Sequence, residues 1–256
     1  MPYAVPTLRA LRIWRRDLES WRRYSVSFLV AALSDPLFYL VGIGYGLGRF
    51  VNAIEGVPFA VFLTPGIIAF TAMNSATFET TIGSFTRMSE QKTYAAILAT
   101  PCSVADIVAG DVLWAASKST ISTAIVLAVT AAFGLVRIPL APLLLPLGFL
   151  IGLMFGALGM VVTAKAPSYD FFNYYFSFVF SVMFLFAGVF FPLASLPPWA
   201  RGVAWIMPLT HAVNVARALA TGVGWGTIPG DLLWMVVVTA AAFAVAERLV
   251  RGRIQV

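Results

Sequence analysis

The chain has 256 residues, of which 60% are hydrophobic and only 11% charged, with a net charge of +6. Soluble domains carry roughly a quarter charged residues, so this composition excludes an ordinary soluble domain and identifies a membrane protein. The single cysteine, Cys102, excludes an internal disulfide, and neither it nor the single histidine, His211, builds a zinc site alone.

Residues 7–24 predict an amphipathic helix. Leu8, Leu11, Trp14, Leu18 and Trp21 recur at steps of three and four, and Arg9, Arg12, Arg15, Arg16, Arg22 and Arg23 surround that face. Such a helix lies in the headgroup plane with its apolar side down. The competing reading is a soluble nucleic-acid-binding arm. Two tryptophans on the apolar face favour the membrane, so no nucleic-acid partner is expected.

Six apolar spans follow, over 26–48, 58–82, 104–135, 140–164, 169–191 and 228–249. The first follows a basic segment as a signal peptide would. It exceeds the length of a signal core and no small-residue cleavage site follows, so it reads as a retained span. The expected fold is an all-α polytopic membrane protein forming one transmembrane domain over 1–256. Twelve Lys and Arg fall on one side of these spans and four on the other, Arg49, Arg137, Arg201 and Arg217, with Lys118 inside the third span. That asymmetry places both termini in the cytoplasm, with the basic side against anionic lipid.

The same orientation constrains residues 194–226. A single crossing there would put the Arg-rich tail outside. A double crossing leaves about 25 Å per leg and nothing for a turn, and it places Arg201 and Arg217 at depth. A re-entrant pair of short helices on the outer side is the better solution.

Ionisable residues inside spans are functional candidates by default. Asp35, Glu79, Asp106 and Asp231 lie near span ends, where snorkelling to water explains them. Asp111 and Lys118 are deeper and share a helical face, which predicts an intramembrane pair, direct or through a polar bridge, or a proton site. Gly148, Gly152 and Gly156, four apart with Gly159 nearby, let helix backbones approach, either inside one subunit or at a mobile or dimer surface. Gly42, Gly44, Gly46 and Gly48 alternate without the strand and helix that a dinucleotide fingerprint needs. The fifth span is dense in aromatics. Most face lipid or neighbours, and a subset can line a path for an acyl chain or sugar rings: Tyr174, Phe178, Met183 and Phe190. His211 is expected to hydrogen-bond within the outer segment, with Asn214 a candidate partner. Trp199, Trp205 and Trp225 suit the outer interface.

Two stretches carry a family resemblance. Phe190-Phe191-Pro192-Leu193, then Leu196-Pro197 with Pro198, then Pro208-Leu209-Thr210-His211 with Arg217 six positions on, resemble the last periplasmic segment of ABC-2 export permeases, above all the nodulation-factor (lipo-oligosaccharide) branch. The loop over 85–101, ending at Thr100-Pro101, resembles the coupling helix that docks on the family's ATPase subunit. By its residues alone a short solvated connector is the better reading, and the resemblance turns it to coupling. The resemblance implies that Arg87, Glu90, Gln91, Lys92 and Tyr94 touch the ATPase. It also implies that the fifth span helps line the route between two subunits, and that Pro192, Pro198, His211 and Asn214 gate the exit. No G-x-x-x-x-G-K-[ST] occurs, so the chain has no P-loop for ATP phosphates. ATP and Mg are then expected on a separate ATPase, two copies of it with a homodimer of this chain, and no cofactor or metal in the chain itself. The resemblance implies outward transport of an amphipathic, lipid-linked cargo, with a hydrophobic drug or polyketide as the alternative. A secondary carrier would need coupling-ion sites and paired repeats, which the spans do not show. A membrane enzyme would need clustered His, Asp or Glu at one face, and neither that nor a Ser-His-Asp arrangement is readable.

Overall fold

The computed structural model describes residues 6–254 except 52, 55, 137 and 223, and for 31, 35, 49, 138 and 139 it describes the backbone alone. The side chains of Asp35, Arg49 and Arg137, used in the charge reading above, lie outside that description. Among the described residues the chain is helical with no strand, only an isolated bridge between Ile54 and Val57.

Among the described residues, five helical stretches are long and apolar enough to cross a membrane: Ser25–Tyr45, Phe59–Glu90, Val104–Ala132, Leu140–Lys165 and Trp225–Ile254. The helix expected over 169–191 is shorter and runs Asp170–Phe186. At 1.5 Å per residue it covers about 25 Å, less than the ~30 Å of a hydrocarbon core. Gly188, at φ +80°, turns the chain just beyond it.

In chain order, α1 is Ala10–Trp21, α2 is Ser25–Phe38 and α3 is Phe59–Phe78. Wider helical turns carry α2 on to Tyr45 and α3 on to Glu90. The short α4 (Thr93–Leu98) follows a left-handed Lys92 at φ +53°. Next come α5 (Val104–Ala132), α6 (Leu144–Lys165), α7 (Asp170–Tyr174) and α8 (Ser181–Phe186), the last two joined by a wide turn over Tyr175–Phe180. The outer segment holds α9 (Pro198–Ile206) and α10 (Pro208–Thr221), and α11 is Ile228–Ile254.

The centre of the molecule is α3 against α5 and α6, with α10 packed on α3 and α11 on α6. Helix α3 is apolar all round and buried all round, as a central helix must be. The glycines of α6 set its distance from α5. A Cβ on Gly152 would lie 2.5 Å from Ala116 Cα and one on Gly156 3.2 Å from Ala115 Cβ, while Gly148 abuts Thr123. Gly159 abuts Thr80 of the α3 helix. These small residues therefore serve packing within one subunit. Ser119 Oγ lies 2.8 Å from the Gly148 carbonyl and 3.0 Å from that of Ala72, tying three helices at one point.

Helix α1 is attached through a different face from the one its hydrophobic periodicity marks. Ala10, Ile13 and Asp17 are buried. Ile13 sits over Gly110 of α5, where a Cβ would come within 2.6 Å of the isoleucine. Leu8 and Leu11 point outward. The stripe is exposed only at its start: Trp14, Leu18 and Trp21 are half-buried, with Trp21 5.8 Å from the Trp114 ring, and the fully buried residues lie on the adjacent stripe. Trp14 Nε1 donates to Ser117 Oγ at 2.9 Å.

Candidate functional site

Six charged side chains from α1, the α3 helix and α5 converge in one network, and α4 closes over part of it. On the α3 helix, Glu79 and Arg87 stand two turns apart and bond at 2.7 Å through Oε1 and Nη1. Lys118 of α5 reaches Glu79 Oε2 at 2.8 Å. Arg87 Nη2 lies 3.1 Å from Asp111 Oδ2, which also accepts from Ser84 Oγ at 2.7 Å and from Tyr94 Oη at 2.5 Å. From α1, Asp17 Oδ1 meets Arg16 Nη2 at 2.7 Å and Arg87 Nη1 at 4.0 Å, and Arg16 Nη2 lies 3.8 Å from Asp111 Oδ1. Three carboxylates thus face three cations, and charge balance makes burial at this depth tolerable.

The electrostatics differ at the edge of this network. Burial is the main force on the Asp17 carboxyl and the Asp111 carboxylate adds to it; the guanidiniums of Arg87 and Arg16 oppose them, and the result is about 7. Burial first, then the Asp111 carboxylate, pushes the Tyr94 phenol well above its usual range, so it stays a donor.

Asp111 and Lys118 pair through a polar bridge, one of the forms expected: Glu79 and Arg87 of the neighbouring helix stand between them. Several other expectations are corrected here. Glu79 does not snorkel, since two cations hold it inside. Asp106 does not snorkel either. It completes a capping box with Ser103 at the start of α5, and its other oxygen accepts from the Thr7 backbone at 2.6 Å and hydroxyl at 2.8 Å. Of the five residues expected to touch an ATPase, Arg87 and Tyr94 turn inward to Asp111. Arg87 belongs to the helix Phe59–Glu90 and not to a loop, and its three carboxylate partners hold it inside the bundle. Glu90, Gln91 and Lys92 are exposed at the turn.

The four aromatic-path candidates also separate. Met183 is in the core and Phe190 packs on Phe184 with ring centroids 4.9 Å apart, whereas Tyr174 and Phe178 are exposed. They do not line one cavity, because α7 and α8 present opposite faces to protein and to the outside.

In the segment before α11, Pro208 starts α10 and Gly222, at φ +76°, ends it. Pro192 precedes a short helical turn and Pro198 is the first residue of α9. His211 is buried. Its Nδ1 lies 2.6 Å from Asp231 Oδ1 and its Nε2 2.7 Å from the Trp205 carbonyl, and its ring stacks on Trp234 at 4.1 Å. The expected partner Asn214 is half-buried one turn along. Asp231, expected to snorkel, is held inside by this bond. His211 therefore fastens α9, α10 and α11 together. Arg217 donates to the Gly188 carbonyl at 2.6 Å and covers the Phe62 ring at 4.1 Å, which explains an arginine on a buried helix.

Sequence reasoning passed over Arg16, Asp17 and Ser84. Asp17 had a signal: it is an acid among six arginines, in register with Ala10 and Ile13. No family of three or more His, Cys, Asp or Glu that would hold a metal occurs among the described residues.

Comparison with known proteins agrees with this architecture. The family model for the ABC-2 type transporter matches residues 10–220. Nodulation protein J of Rhizobium meliloti is 38% identical over 212 residues, covering 83% of this chain and 81% of that protein. Nodulation protein J of Rhizobium leguminosarum bv. viciae is 35% identical over 247 residues, 96% of this chain and 95% of that one. The inner membrane transport permease YadH of Escherichia coli is 22% identical over 242 residues, 94% of each. With its five long apolar helices, its near full-length likeness to these relatives and the family match over its bundle, this chain belongs to the ABC-2 type transporter family, as a multi-pass membrane transport subunit whose partner ABC ATPase is a separate protein.

Proposed function

We propose that two copies of this chain, with two ATPase subunits that carry ATP and Mg, export an amphipathic molecule of the lipo-oligosaccharide kind. The observation that carries this reading is the likeness to nodulation proteins J over almost the whole chain. In this arrangement the chain has six spans, Asp170–Phe186 crossing as the fifth beside a second copy, and both termini are cytoplasmic. Residues 7–24 lie in the headgroup layer. The segment over 85–101 meets the ATPase, and 194–226 is re-entrant on the outer side.

The exposed turn Glu90-Gln91-Lys92 is the contact point, and Arg87 and Tyr94 pass its motion inward through Asp111 to α5 and through Asp17 to α1. Such a network supports rigid-body transmission, because its members lie on three long elements and one short helix. At the outer end His211 holds α9 and α10 to α11, and opening of that joint releases cargo past Pro192, Pro198 and Asn214. Tyr174 and Phe178 leave an aromatic stripe for the second copy and the cargo, with Met183 and Phe190 behind it.

The test is purification of the chain from its own membranes in mild detergent. An ATPase is expected to copurify in equal ratio. Reversing the charges of Glu90 and Lys92 together is expected to release it while the thermal unfolding of the permease stays unchanged. A chain that emerges alone under several mild conditions, with transport insensitive to ATP-site inhibitors, would sink the proposal.

A further inference from the structure

A cavity of about 340 Å³ lies between α2, α3 and α5, walled by Phe28, Phe70, Asn74, Ser75, Lys118 and Ser122. Lys118 and Ser122 stand midway along α5, and Asn74 and Ser75 midway along Phe59–Glu90, so the cavity sits at the depth where polar groups are costliest. Yet Ser75 Oγ and Ser122 Oγ are buried and lack a hydrogen-bond partner among the described residues, and Ser122 is 1% exposed. Buried hydroxyls are normally satisfied, so these two mark a wall with unused hydrogen-bonding capacity.

The charge in the cavity is already balanced. The Lys118 ammonium is 2.8 Å from Glu79 and 4.6 Å above the Phe28 ring, so it gives protons for hydrogen bonding without a net field for an anion. The remaining walls are aromatic and firmly held: Phe70 stacks on Phe184 at 3.7 Å and Phe78, also lining the cavity, on Phe176 at 4.5 Å. Hydroxyls, an amide and an ammonium opposite fixed aromatic faces suit a ligand that is uncharged, rich in hydroxyls and apolar on its flat sides. The volume lies at the lower end of ligand sites, room for one ring and not for a chain of them.

We infer that this cavity receives one neutral sugar ring of the cargo, hydrogen-bonded by Ser75, Ser122, Asn74 and Lys118 and stacked on Phe28 or Phe70. The inference rests on the exporter reading and names the part of the cargo recognised inside each subunit.

The permease with its bound ATPase, in nanodiscs of phosphatidylcholine and phosphatidylglycerol, is photolabelled with a diazirine-bearing octyl glucoside and with an octyl phosphocholine bearing the same group. Saturable labelling of peptides over 70–78 and 118–122 by the glucoside, and not by the phosphocholine, is expected. Replacing both hydroxyls, Ser75→Ala with Ser122→Ala, is expected to weaken glucoside labelling about tenfold, the worth of two modest hydrogen bonds. Ala32 of α2 also lines the cavity, and Ala32→Phe, which fills it, is expected to abolish labelling. Equal labelling by the phosphocholine, or labelling unchanged by Ala32→Phe, overturns the inference. ATPase copurification is scored on the same samples. Its loss in the unmutated complex sinks the exporter reading, whereas its retention without sugar preference sinks only the cavity assignment.

Discussion

Lys118 and Asp111, seven positions apart on one face of α5, are joined through two side chains of the neighbouring helix. Lys118 bonds Glu79 at 2.8 Å, Glu79 bonds Arg87 at 2.7 Å, and Arg87 meets Asp111 at 3.1 Å. Each carboxylate in this chain has more than one donor, so the members are not equivalent. Glu79 is the link shared by two cations. Glu79→Gln leaves Lys118 without an anion and Arg87 with only its aspartate partners, and is expected to cost about 3–5 kcal/mol. Lys118→Met leaves Glu79 still paired to Arg87 and is expected to cost less. Thermal unfolding of the purified complex ranks the two, and a larger loss for Lys118→Met would contradict the arrangement.

Asp17 brings a pH dependence. Its carboxyl is raised to about 7 in the fold, so the folded state holds the proton more tightly than the unfolded chain does. The stability this contributes is fully present below the usual carboxylate range and is lost as pH rises through about 7. Unfolding temperature is expected to fall between pH 5 and pH 8, and Asp17→Asn to flatten that fall. An unaltered slope in Asp17→Asn would show that another group titrates.

His211 is expected to matter more than its exposed neighbours. His211→Ala would leave Asp231 buried without its partner, at a cost of about 3–5 kcal/mol. Asp231→Asn keeps a hydrogen-bonding group against the ring and is expected to cost less. Limited proteolysis of the outer segment reads the loosening of α9 from α10. Equal protection in His211→Ala and the unmutated protein would refute the joint.

The glycines of α6 give a graded test. Gly152→Ala would place a Cβ 2.5 Å from backbone at Ala116, and overpacking of this kind costs about 1–3 kcal/mol. At Gly202 of α9 an added Cβ meets nothing within 4 Å, so Gly202→Ala is the neutral control. Thermal unfolding separates them.

Tyr94→Phe removes the 2.5 Å hydrogen bond to Asp111 without changing the ring's packing in its inner cluster. A loss on the order of 1.5–3 kcal/mol is expected, the worth of a bond to a charged group. ATPase copurification is expected to survive, since Tyr94 is 1% exposed and does not reach the surface. Loss of the ATPase with unchanged unfolding would restore Tyr94 to the contact surface.

Composition and apolar run length by themselves determined that the chain crosses a membrane, where its long helices lie, and that proline and glycine divide the outer segment. Those properties depend on local chain chemistry: about twenty apolar residues satisfy the bilayer whatever surrounds them, and Pro208 and Gly222 act on their own turns. The residue pattern of the outer segment was also enough to place the family. Tertiary structure alone decided which charges meet. Glu79 and Asp231 look like end-of-span residues in one dimension, and only the approach of α5 to the first and of α10 to the second reveals their partners. The same holds for Arg87 and Tyr94, whose spacing fits a docking loop equally well. Their direction is set by Asp111, far along the chain, and by the cost of leaving that carboxylate unpaired inside the bundle. Periodicity found the apolar stripe of α1, yet the residues buried deepest lie on the adjacent stripe, because Gly110 on α5 admits Ile13 and Arg87 lies near Asp17. Pairing between distant segments is a property of the packed bundle, and no local pattern in the chain encodes it.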